Sequence, residues 1–164
     1  HAQAHSMVVG GDIVEEVSEG FHAVEVERLL VDAAAMDLIR RPHEFDVVVA
    51  SNLFGDILTD VGAQITGSVG LAPSGNVHPG DEYPSMFEPV HGSAPDIVGD
   101  GVANPLATVL SWSMLLDDLD EGPAAEALWT AVVDQLADEA APRTPDIGGS
   151  ASTDAVAADL RSRL

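Results

Sequence analysis

The sequence has no cysteine, no lysine and one tyrosine, and only 4% of it is aromatic. Without cysteine there is no disulfide framework and no thiol chemistry. No run of about 18 apolar residues occurs, so a membrane-spanning helix is excluded. The opening residues His1 to Met7 lack the basic-then-apolar build of a secretory signal. They are expected to be an added leader or the interior of a longer reading frame, and the expected location is the cytoplasm. There is no G-x-G-x-x-G, so the common dinucleotide fingerprint is missing.

What is abundant is acid. The formal net charge is −22 over 164 residues, from 28 Asp and Glu against six arginines. Such a chain repels nucleic acid and anionic membranes, and neither is an expected partner. The acids are interleaved with Val, Leu, Ile and Ala, and the hydrophobic content of 46% is enough for a core, so a folded protein is expected. An acidic surface without lysine is a device of proteins that work in high salt, where self-repulsion is screened. The chain is therefore read as halophilic. Its length fits one ordinary domain or pieces of two.

Periodicity predicts helices over Asp12–His22, with Ile13, Val17 and Phe21 on one face, over Ala33–Arg41, and over Gly55–Ile65, with Ile57, Val61 and Ile65 at spacing four. Strands are expected over Val26–Asp32 and Phe45–Ser51, the latter a continuous apolar run of the kind buried on both faces. Gly67–Pro84 reads as loop, Met86–Val90 as a short strand and His91–Pro105 as loop. Three helices follow, over Leu106–Leu119, Ala124–Glu139 and Asp154–Leu164, the last capped by Ser152 or Thr153. Strands and helices alternate first and helices dominate later, which is an α/β fold.

Two features carry chemistry. Asp56 and Asp60 stand four residues apart, so on a helix they share a face. A divalent cation with a preference for oxygen, Mg²⁺ or Mn²⁺, would offset their repulsion. Asp32, at the end of a predicted strand, is a third candidate ligand. On spacing alone the simpler reading is preferred: Asp56 caps the helix and Asp60 faces solvent. The second feature is the loop His91-Gly92-Ser93-Ala94-Pro95-Asp96. Its small residues would let backbone approach a ligand closely, and its Asp could accept hydrogen bonds from ribose hydroxyls while repelling a 2′-phosphate. By local chemistry alone the loop is a turn cluster, and Asn104-Pro105 is a helix start.

The order and spacing of these pieces resemble the β-decarboxylating dehydrogenases, the family of isocitrate, 3-isopropylmalate, homoisocitrate and tartrate/malate dehydrogenases. The matching runs are Leu30–Met36, Arg40-Arg41-Pro42, Phe45-Asp46-Val47, Asn52–Asp60, Gly67–Ser74 and Phe87–Ile97, continuing from Gly101 to Pro105. Within the family the pattern is most similar to the isopropylmalate branch. NADP-using members carry Lys-Tyr where this chain has Asp96-Ile97, so the resemblance implies NAD. It also implies that Asp56 and Asp60 ligate Mg²⁺ or Mn²⁺, with Asp32 reaching into the site of a partner. His91, Gly92, Ser93, Ala94, Pro95, Asp96, Ile97 and Asn104 would line the adenosine pocket. Residues 33–41 and 55–65 would lie at a homodimer interface. The implied substrate is a small 2-hydroxy dicarboxylic acid, from which NAD takes hydride before CO₂ departs over the metal.

Whole members of the family are about twice this length. Their first half supplies substrate-gripping arginines and a catalytic tyrosine, and a lysine precedes the first helix predicted here. This chain has no lysine, and Tyr83 sits in a loop outside every matching run. The resemblance therefore implies the C-terminal half of the fold, with residues 1–66 in the dimer-forming domain and 67–164 in the cofactor domain. Alone it is expected to be inactive, needing a complementing N-terminal half; a non-catalytic remnant acting as a dimerising or metal-binding module is the competing reading. The charge reading is tested by salt. The melting temperature followed by circular dichroism should fall as KCl is lowered from molar concentration to dilute buffer, and an unchanged value would contradict a halophilic chain.

Overall fold

The computed structural model describes residues 4–9, 12–80 and 82–164. The chain divides into two compact units, His1–Ile65 and Thr66–Leu164.

The first unit is α/β. Strands β1 (Ala4–Val9), β2 (Val24–Arg28) and β3 (Val47–Ala50) form a parallel sheet in the order β2-β1-β3. Ser6 lies opposite Val26 on one side and Val47 on the other. Parallel neighbours need crossovers, and the helices α1 (Asp12–Ser18), α2 (Val31–Arg40) and α3 (Asn52–Ile65) lie between or after the strands. The middle strand comes from the opening stretch, which carries no clear strand pattern; His1 to Gln3 lie outside the described residues. The core is small: Ala34 and Leu58 are buried where α2 meets α3, with Leu38, Phe45, Ala50 and Phe54 packed around them.

Several expectations are corrected here. The second strand ends at Arg28, and Asp32 belongs to the first turn of α2 rather than to a strand end. The apolar run Leu29-Leu30-Val31 hid this boundary, because Leu30 supplies the extended residue that starts the helix and no side chain caps it. Helix α3 begins at Asn52, with Gly55 N already bonded to Ser51 O, so Asp56 sits past the first turn and caps nothing. Strand β3 is not buried on both faces: Val47, Val48 and Val49 are 53%, 37% and 41% exposed, because β3 is a sheet edge. Val17, Phe21, Ile57 and Ile65 also face outward. The Ile13 side chain lies outside the described residues.

With cations so scarce, single arginines organise several carboxylates. Arg41 donates to Glu27 at 3.0 Å, Asp37 at 2.9 Å and Glu44 at 2.7 Å, and stacks 4.9 Å from the Phe45 ring centre. It thereby joins β2, α2 and the turn before β3. Its hydrogen bond holds the Asp37 carboxyl below the usual range.

The second unit packs three helices, α4 (Leu106–Asp118), α5 (Gly122–Ala137) and α6 (Thr153–Arg163), with an antiparallel pair β4 (Pro73–Asn76) and β5 (Met86–Pro89) against α4. Strand β4 lies within the stretch read as loop; its residues, Pro-Ser-Gly-Asn, have no strand propensity and are held by pairing with β5. The core is Leu106, Leu110, Ala131, Val132, Val156 and Leu160. Ser152 caps α6 by accepting from Ala155 N. Gln135, 2% exposed, donates to Val156 O and to Asp159, while Arg163 bonds Asp159 and Asp138 at 2.8 Å each. These bonds tie α5 to α6 and give the amide nitrogen of the buried Gln135 its partners. Among the described residues no helix is long and apolar enough to cross a membrane.

Both tryptophans, Trp112 and Trp129, lie in this unit, so their fluorescence reports it alone. Leu106→Ala removes a side chain that is 1% exposed and should cost about 2–5 kcal/mol in urea unfolding followed by tryptophan emission. A loss below 1 kcal/mol, on the order of a surface change, would contradict this core.

Candidate functional site

The second unit contains a cavity of ≈ 530 Å³, within the range of small-molecule sites. Five segments build it: the 3₁₀ turn Val69–Leu71, the loop after β5, the 3₁₀ turn Pro95–Ile97, the approach to α4, and the stretch from the 3₁₀ turn Pro145–Ile147 to the start of α6. Small residues keep its walls open. Ala94 adopts φ 42°, a left-handed conformation costly for a residue with a Cβ, and caps the turn that Pro95 begins. Gly99 and Gly101 have φ of 91° and 66°, where glycine is at ease.

The walls are joined by two sets of hydrogen bonds. Thr153 donates from its backbone to Gly101 O at 2.8 Å and from its hydroxyl to Ala103 O at 2.5 Å, fixing the glycine-rich loop to α6. Asp146 Oδ2 accepts from Ser68 Oγ at 2.5 Å and from Asn104 Nδ2 at 3.0 Å. Ser68 and Asn104 are buried. Burial pushes the Asp146 carboxyl up, but the Ser68 hydroxyl, the Thr144 hydroxyl close by though short of hydrogen-bond geometry, and the Asn104 amide outweigh it. The carboxyl is held below its usual range.

Of the residues expected around the cofactor, His91, Gly92, Ser93, Ala94, Ile97 and Asn104 line this cavity. Pro95 and Asp96 do not; Asp96 is exposed on the turn beside it. His91 Nδ1 lies 3.0 Å from Gly92 O, to which it donates in the tautomer protonated there. Asn104 Oδ1 accepts from Leu106 N at 3.0 Å, so its side chain caps α4 while its other end holds Asp146. Sequence reasoning missed Ser68, Gly70, Asp146 and Asp154 as wall residues. One signal was available: the tripeptide Pro-Asp-Ile occurs twice, at 95–97 and 145–147, and both copies form 3₁₀ turns at this cavity.

In the first unit, Asp56 and Asp60 share one exposed face of α3, and Asp32 is exposed on α2, where its Oδ1 accepts from Ala33 N. Among the described residues no three carboxylate or imidazole groups converge as a metal centre. The pair supplies hard oxygen donors of the type that Mg²⁺ or Mn²⁺ takes, with positions left for other ligands. Tyr83 is exposed and sits edge-on to His78, with ring centres 5.4 Å apart.

Residues 5–160 match the isocitrate/isopropylmalate dehydrogenase family. The chain belongs to that family. It is 53% identical over 144 residues to isocitrate/homoisocitrate dehydrogenase of Thermus thermophilus, covering 88% of this chain and 42% of that protein. It is 48% identical over 152 residues to 3-isopropylmalate dehydrogenase of Thermobifida fusca, covering 93% and 42%. The crystal structure of isocitrate dehydrogenase from Methylococcus capsulatus superposes with a TM-score of 0.88 at 32% identity, over 98% of this chain and 50% of that one. The α/β architecture is thus the family's, and the chain spans under half the length of these curated relatives.

A carboxyl whose pKa is depressed by folding stabilises the fold above its unfolded pKa, and that contribution is lost as pH falls through the folded value. Asp146→Asn should therefore be less stable than the parent at neutral pH, with the gap closing below about pH 4. Urea unfolding by tryptophan emission across pH measures it; a gap that widens in acid would contradict the assignment.

Proposed function

We propose that the chain carries the cofactor cavity and the metal-binding carboxylates of an NAD-dependent dehydrogenase that oxidatively decarboxylates 3-isopropylmalate to 4-methyl-2-oxopentanoate, a step of leucine biosynthesis, in the cytoplasm. The observation that carries this reading is the cavity of the second unit. Its walls contain six of the eight residues that the family resemblance assigns to adenosine, and its lining has no lysine or arginine to pair with a 2′-phosphate. That lining fits NAD rather than NADP. Homoisocitrate, isocitrate and tartrate/malate are the alternative substrates, since their distinguishing contacts fall largely outside the matching runs.

The residues divide the work. His91 to Ala94, Ile97 and Asn104 enclose the nucleoside, and the two Pro-Asp-Ile turns hold their walls. Asp56 and Asp60 hold the cation by oxygen, and Asp32 completes the site of a second copy. The cofactor supplies a hydride acceptor and the cation a Lewis acid. The exposed Met36, Ile39, Leu53, Ile57 and Ile65 on α2 and α3 support a homodimer through those helices. Residues 1–66 act as part of the dimer-forming domain and 67–164 as part of the cofactor domain.

The absence of lysine favours a second reading, a dimerising or metal-binding module without catalysis. NADH absorbance in the presence of Mn²⁺ and isopropylmalate separates the two. The pure chain should give no turnover, and turnover should appear when a polypeptide corresponding to the first half of the relatives is added. No turnover with either would support the module; turnover by the pure chain would overturn the division of labour. Asp60→Asn should also weaken Mn²⁺ binding about tenfold by calorimetry without loss of fold, and unchanged binding would remove Asp60 from the metal site.

A further inference from the structure

Three chain segments remote in sequence meet at one oxygen. Asp146 Oδ2 receives Ser68 Oγ, 78 residues away, and Asn104 Nδ2, 42 residues away. Each donor then serves a second bond: Ser68 Oγ accepts from Gly70 N at 2.9 Å, and Asn104 Oδ1 accepts from Leu106 N at 3.0 Å. The carboxylate thus sets the spacing of the Ser68–Gly70 and Asn104–Leu106 segments, two facing parts of the cavity wall. There is no slack in the arrangement. A Cβ on Gly70 would lie 2.7 Å from both Asp146 Oδ2 and Asn104 Cβ.

The Asn104 amide is oriented by the same oxygen. Its Nδ2 must face the carboxylate and its Oδ1 the Leu106 amide, since an acceptor cannot face an acceptor. Asn104 therefore spends its carbonyl and one amide hydrogen on the protein, and its side chain is held in an orientation that Asp146 determines. We propose that Asp146 is the positioning residue of this cavity, holding two of its walls at the separation a purine nucleoside requires. The proposal rests on the assignment of the cavity to the adenosine half of the cofactor and adds a residue that never needs to touch it.

A carboxylate accepts both bonds as an anion. An asparagine at 146 keeps the shape but makes weaker bonds, and turning its amide nitrogen inward would set donor against donor. Calorimetry of the full chain with AMP and with NAD, alongside melting temperatures, tests the idea. The parent should bind both. Asp146→Asn should weaken both by a common factor of about tenfold, and Ser68→Ala, which removes one of the two bonds, by about threefold. Hydrogen exchange should quicken at the Leu106 amide in both variants while the Val132 amide in the helical core keeps its protection. A lower melting temperature with unchanged AMP and NAD affinity in Asp146→Asn would reduce the residue to a structural one and overturn the proposal. If that variant does not fold, unchanged affinity in Ser68→Ala overturns it. A parent that binds neither AMP nor NAD would instead sink the nucleoside assignment, and the proposal with it.

Discussion

The bond pair at Asp146 Oδ2 is the constraint on which the cavity depends. The walls come from a 3₁₀ turn after unit one, a helix cap and a second 3₁₀ turn, and none of these short pieces has a core of its own. Helices α4 to α6 supply the packed core of the unit through Leu106, Val132, Val156 and Leu160. The loops around the cavity are positioned by polar contacts: Thr153 to Gly101 and Ala103, Asp146 to Ser68 and Asn104. Asp146 is an exposed residue, so its anion keeps its contact with water while two neutral donors reach one of its oxygens. The same economy governs the arginines. In a chain of net charge −22, Arg41 and Arg163 each serve more than one acid, and each bridges separate elements.

The two units differ in how well they bury what they carry. The second has a contiguous core reaching from α4 to α6. The first leaves Val47 to Val49, Met36, Ile39 and Ile57 exposed around a small core of Ala34 and Leu58. An apolar edge strand of this kind invites pairing or cover. The chain spans under half of its curated relatives, and this unit is where the uncovered apolar surface is concentrated on a sheet and two helices.

Much of the fold was legible because its signals are local. The last three helices follow from apolar spacing, and the strand at Met86 and the start of α4 from Pro and Asn placement. The β3 segment was legible as a strand but its burial was not, because burial depends on neighbours that a periodic pattern does not name. Asp32 was misplaced because Val31 carries the apolar run Leu29-Leu30 into the first turn of a helix. His91 to Ala94 and Asn104, expected together from family motifs, line one cavity. Asp146 was missed because its meaning lies in contacts 42 and 78 residues distant. Asp96, singled out for the cavity by its acidity, turned out to sit on the outer side of the turn that Ile97 faces inward from.

The central claim is that the cavity of the second unit receives the adenosine of the cofactor. It is tested most directly by locating that ligand: titrating the ¹⁵N-labelled chain with AMP and following the backbone amides by NMR. The account predicts shifts concentrated at Gly70, His91 to Ala94, Ile97 and Asn104, with α1 to α3 unaffected. Saturable shifts confined to other residues, with those amides unmoved, would contradict it.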